Sequence, residues 1–116
     1  MPRYVLALDL RPDPVLIAEY EQYHVRVWPD ILKSISGSGI TEMEIYRIEN
    51  RLMMIMETTD DFDFAAKAAA DAANPRVQEW ETLMWKYQQA LPTARPGEKW
   101  MQASLCFKLT TQEKKE

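Results

Sequence analysis

The stretch ITEMEIYRIENRLMMIMET, residues 40–58, carries two alternating runs around a short polar break. In the first run Thr41, Met43 and Ile45 share one side, while Glu42, Glu44 and Tyr46 share the other. Glu49-Asn50 interrupt the alternation, and Arg51–Thr58 resume it. A period of two on either side of a two-residue turn predicts an antiparallel β-hairpin. The segments flanking the hairpin change period. Upstream, Ile17, Tyr20, His24, Val27 and Ile31 are spaced by threes and fours, which puts them on one helical face. Downstream, an alanine-rich stretch from Phe62 to Ala73 and a second from Pro75 to Ala90 are also helical in pattern.

Two more strands bracket these segments. Tyr4–Leu10 comes first, and Lys99–Leu109 comes last, with Met101, Ala103, Leu105, Phe107 and Leu109 alternating. Asp13 before Pro14 is a helix start, and the helix is expected to reach Trp28. Pro29 lacks the N–H that would bond the Val25 carbonyl, so a kink or restart is expected there. Ser36-Gly37-Ser38-Gly39 is a stop, and Thr59-Asp60-Asp61 is a cap signal. The resulting order is β-α-β-β-α-β, an α+β ferredoxin-like domain over residues 1–110, with 111–116 a polar tail.

In that fold the helices cover one face of a four-stranded antiparallel sheet. Yet the first and third strands are apolar on both faces. Val5, Ala7, Met53 and Ile55 alternate against Leu6, Leu8, Met54 and Met56. A one-sided sheet has no need of this, and the chain has no element left to cover the second face. A second copy packed sheet on sheet is expected, giving a homodimer.

The chain has 116 residues, enough for one core. Its net charge is -4, with acids and bases interspersed. This argues against nucleic acid or an anionic membrane as a main partner, since both favour basic patches. No apolar run reaches membrane-spanning length, and MPRYVLALDL is too short and too soon acidic for a secretory signal, so a cytoplasmic location is expected. A single cysteine, Cys106, and a single histidine, His24, exclude an internal disulfide and the usual closed zinc site. There is no glycine-rich phosphate loop, and no metal is expected.

Three signals bear on chemistry. His24 lies on the apolar stripe within EYEQYHVRVWPDIL, residues 19–32, one turn beyond Tyr20. Two readings stand for it: a proton-transferring imidazole in a pocket floored by the sheet, or a core histidine satisfied by a carbonyl or tyrosine. Trp28 reads as packing. The second signal is Trp80, Trp85 and Tyr87 in RVQEWETLMWKYQQAL, residues 76–91, either a platform for a sugar or aromatic ligand or ordinary core. The third is acid in apolar strands, where Asp9 and Glu57 are candidates for pocket partners or for charges reaching water.

The run Tyr-x3-His-x3-Trp-Pro resembles the first helix of the L-rhamnose mutarotase family. EIYRIENRLMMIMET and NPRVQEW extend the resemblance, which covers nearly the whole chain. It implies a dimeric α+β barrel that exchanges the α and β anomers of a 6-deoxy-L-sugar without cofactor or metal. By that resemblance His24 matches the catalytic acid/base, Tyr20 a sugar-contacting tyrosine, and Trp80 the first of a Trp-Trp pair. The second tryptophan of the pair is Glu81 here, a sugar-contacting tyrosine falls on Met43, and the acid after Trp-Pro is Asp30. An altered lining is what a change of sugar would need, so L-fucose is the first choice and L-rhamnose the second.

The chemistry needs no more than a proton donor and an acceptor of suitable pKa. His24 is expected to donate to the ring oxygen, with water, Tyr20 or Glu57 as acceptor and Trp80 stacking on the sugar. Two rivals remain at this level. One is a cofactor-free monooxygenase or haem-degrading enzyme on the same dimeric barrel, an analogy of fold. The other is a non-catalytic domain that binds a small ligand.

Overall fold

Pro14, Pro29 and Pro75 each open a helix in the computed structural model, which describes residues 2–110. Proline gives up an N–H that has no intrahelical partner at that position, and its fixed φ suits the first turn. The elements run β1 (Arg3–Leu10), α1 (Pro14–Tyr23), α2 (Pro29–Gly37), β2 (Ile40–Ile48), β3 (Arg51–Thr58), α3 (Phe64–Ala72), α4 (Pro75–Trp85), β4 (Gln88–Gln89) and β5 (Met101–Gln102). The α+β class is as expected, with each helical region divided in two.

The sheet is antiparallel in the order β2-β3-β1-β4, and β5 shares the outer edge of β1 with β4. The hairpin forms as its alternation predicts, with Met43 opposite Met56 and Ile45 opposite Met54. Thr41 is a bulge that lets Ile40 and Met43, three residues apart, both face the helices. Gly39, at φ 100°, makes the entry to β2 possible, since a Cβ there would lie 2.9 Å from the Thr59 hydroxyl oxygen.

Even-numbered residues of β1 and β3 face the helices. Leu6, Leu8, Leu10, Leu52 and Met56 are buried there with Tyr20, Ile31, Val77, Trp80, Met84 and Tyr87. The other face carries Val5, Met53, Tyr46 and Ile48 exposed. Asp9 lies on that face too. It is 5% exposed, and Arg51 opposite it binds both carboxylate oxygens, at 2.8 and 3.1 Å. It is an ion-paired strand residue, not a partner of the helix-side pocket.

Several boundaries differ from expectation. The first helix stops at Tyr23, five residues early, because His24 turns out of it with its N–H on the Glu21 carbonyl. α3 starts at Phe64, where Asp63 caps the Ala65 N–H, and the upstream Thr59 instead bonds Asp61. The alanine-rich α3 buries no side chain and packs on α4. α4 ends at Trp85, since Lys86 and Tyr87 turn the chain into β4.

The last strand is two residues long where eleven were expected. Ala103 donates to the Val5 carbonyl at 2.7 Å, and continuing that register brings Leu105 opposite Arg3, where β1 begins. Beyond that point the described residues offer no partner strand. Leu105, Phe107 and Leu109 are exposed. The expected tail, 111–116, lies outside the described residues.

Candidate active site

Between the helix-facing side of the sheet and α2, α3 and α4 lies a cavity of about 860 Å³ that opens to solvent. Tyr20, His24 and Trp80, whose rings touch in sequence, line it with Glu81, Met84 and Gln88, and so do Ser34, Lys67 and Asp71, which are bonded to one another through Asp71. Apolar side chains line most of the remainder, among them Leu6, Ile31, Met43, Ile45, Met54 and Met56. A second hollow of about 180 Å³ touches Tyr20 and His24 beside Glu21 and Arg47, so the imidazole is approached from two sides. That pair is joined at 2.9 Å.

His24 owes its position to the end of α1. The ring lies 4.3 Å from the Tyr20 ring, centroid to centroid, and its Nδ1 lies 2.8 Å from the Tyr20 carbonyl oxygen. A carbonyl only accepts, so Nδ1 carries a proton and the neutral ring has its lone pair on Nε2. Burial lowers the pKa below the usual 6.5, while the bond to the carbonyl pulls the other way. At neutral pH the ring is therefore uncharged, with Nε2 a base.

Tyr20 is buried and its hydroxyl is pushed up to about 12 by desolvation, with a bond from Gln88 acting against that rise. It stays protonated through the neutral range. Trp80 meets His24 edge to face at 5.6 Å and Trp28 at 5.0 Å. Trp28 does not line the cavity. It backs Trp80 from behind, with the Arg76 guanidinium 3.9 Å over its ring.

Met43 and Glu81 line the cavity. Glu81 accepts from Lys99 Nζ at 2.8 Å, and Lys99, 15% exposed, also sits 4.7 Å over Trp85. A charged pair thus lines the cavity, its ammonium over the indole of Trp85. Glu57 alternates with Met56 and Thr58, whose side chains face the helices, so it projects from the far side of the sheet and does not border the cavity. The period-two pattern already held that information.

Gln88, Lys99 and Trp100 line the cavity and were not singled out from the sequence. Gln88 was hidden because the helical pattern was carried through to Ala90. Its Oε1 is buried without a hydrogen-bond partner among the described residues. Leaving such an oxygen unpaired costs about 1–3 kcal/mol. No cluster of three or more His, Cys, Asp or Glu able to hold a metal occurs among the described residues.

The description of L-rhamnose mutarotase attaches to the family model that matches residues 3–109. The chain belongs to the L-rhamnose mutarotase family. Within that family it is 49% identical over 112 residues to an L-fucose mutarotase of Xanthomonas campestris pv. campestris, covering 95% of this chain and 90% of that one. It is 30% identical over 99 residues to an L-rhamnose mutarotase of Phocaeicola vulgatus, covering 83% and 85%. The crystal structure of an L-rhamnose mutarotase from Formosa agariphila superposes with a TM-score of 0.69 at 18% identity, covering 93% of this chain and 98% of that one. At that identity the likeness speaks for the fold. The family match favours the mutarotase reading over the monooxygenase rival, which rested on an analogy of fold, and over the binding-domain rival.

Proposed function

We propose that this protein is an isomerase that interconverts the α and β anomers of a 6-deoxy-L-hexose, with L-fucose preferred and L-rhamnose second. The observation that carries the proposal is a neutral imidazole, fixed by its Nδ1–H, at the wall of a cavity in a member of this family. The preference for L-fucose is supported by the 49% identity to an L-fucose mutarotase. Glu81 and Met43 in the lining are the residues we assign to that preference.

In the proposed reaction His24 Nε2 takes the proton of the anomeric hydroxyl. The electrons of that O–H bond form the aldehyde carbonyl as the bond between the anomeric carbon and the ring oxygen breaks. The ring oxygen receives a proton from the imidazolium, leaving His24 neutral. Rotation about the bond between the first two carbons and the reverse transfers complete the exchange. This revises the expectation that His24 begins as donor: a ring held uncharged must first accept. Tyr20, protonated, donates a hydrogen bond to the sugar, and Trp80 offers its face to the apolar side of the ring.

A homodimer is proposed on the strength of the uncovered apolar face and of Leu105, Phe107 and Leu109, which find no place in their own sheet. A cytoplasmic location is supported by the lone, exposed Cys106, which suits a reducing compartment. No helix among the described residues is long and apolar enough to cross a membrane.

Saturation-transfer NMR on L-fucose and L-rhamnose at catalytic protein concentration tests the function. Exchange between the anomeric protons should accelerate, and His24→Ala should lose about a hundred- to ten-thousandfold of that acceleration. No acceleration with either sugar refutes the proposal.

A further inference from the structure

We infer that Gln88 is a specificity-determining residue, whose carboxamide oxygen accepts a hydrogen bond from one ring hydroxyl of the bound sugar. The inference rests on the mutarotase reading and deepens it. Gln88 pairs with Leu10 in the sheet, is 4% exposed, and lines the cavity with Tyr20, His24 and Trp80. Its Oε1 has no partner among the described residues. Almost every buried polar atom in a folded protein is partnered, and an exception at a binding cavity calls for a donor from outside. A methionine or leucine would fill the same space without leaving a carbonyl unmatched.

The Tyr20 hydroxyl is the neighbouring polar group: Gln88 opposes the rise that burial imposes on it, and both residues line the cavity. The terminal torsion of glutamine is broad, so a small turn brings the oxygen towards an incoming group. With Tyr20 O–H beside it, the site offers one acceptor and one donor side by side, suited to a hydroxyl or a vicinal pair. A sugar with hydrogen at that position leaves Oε1 unmatched again, and it is rejected for that reason.

The test pairs protein and substrate deletions. Anomer exchange is measured for L-fucose and its 2-, 3- and 4-deoxy analogues, which all keep the anomeric centre, with the wild type and Gln88→Met. The wild type should lose about tenfold or more in kcat/KM on one of the three analogues. Gln88→Met should lose a similar factor on L-fucose and nothing further on that same analogue. Equal activity of the two proteins on L-fucose overturns the inference, as does a uniform loss across all four sugars, which marks a structural role. Should Gln88→Met not fold, Gln88→Asn, whose amide is one methylene short, is read by the same coupling. A wild type inactive on all four sugars and on L-rhamnose overturns the mutarotase reading and this role with it, whereas an active wild type without coupling overturns only the role of Gln88.

Discussion

At the scale of single residues, the 2.8 Å contact between His24 Nδ1 and the Tyr20 carbonyl sets both tautomer and charge. The pH dependence follows from it. If the base form is the active one, exchange should hold steady at neutral and alkaline pH and fall on the acid side, with a midpoint below 6.5 because burial lowers the pKa. A pH–rate profile whose acid limb lies above 6.5 would contradict this. Stability follows the same direction. The unfolded chain takes up the proton first, so this ring's contribution is complete above 6.5 and lost as pH falls through the folded-state value. The spacing of Tyr20 and His24 was legible in the sequence, since residues four apart on a helix are neighbours. The approach of Trp80 and Gln88 was not, because it depends on how α4 crosses the sheet. Glu57 was misassigned although its alternation with Met56 and Thr58 pointed it to the far side.

Among the elements, α4 carries Trp80 and leads into β4, which carries Gln88, so its start bears on where both residues stand. Asn74 holds that start by accepting from the Arg76 and Val77 N–H groups at 3.1 and 3.4 Å. Asn74→Ala should cost about 1 kcal/mol, while Asn74→Asp, which keeps the acceptor, should cost little. Equilibrium denaturation reads the difference, and equal midpoints for the two variants would show that the cap is not what matters. Prolines made the starts of α1, α2 and α4 plain in advance, whereas the cap signal at Thr59-Asp60-Asp61 placed the start of α3 two residues early. Helix ends were harder, because nothing in Tyr87-Gln88-Gln89-Ala90 breaks a helical pattern. The hairpin was legible because its alternation is local. The last strand was overread for a related reason: alternation shows that a segment can pair, not that its own chain supplies a partner as far as Leu109.

For the molecule as a whole, the unmatched quantity is apolar surface. Val5, Met53, Tyr46 and Ile48 on the sheet, and Leu105, Phe107 and Leu109 beyond it, are exposed together. Sedimentation equilibrium at micromolar concentration should give twice the 13.6 kDa chain mass. Met53→Lys, which sets a charge on the face proposed to be covered by the second copy, should shift that mass towards the monomer. A wild-type monomer would remove the dimer.

The alanine helix α3 has a different consequence for the whole. It borders the cavity through Phe64, Lys67, Ala68 and Asp71, yet no side chain of it is buried. With so little holding it down, this wall detaches at a far smaller free-energy cost than the sheet. Loosening of this wall would leave untouched the end of α1, whose Tyr20 carbonyl holds the imidazole.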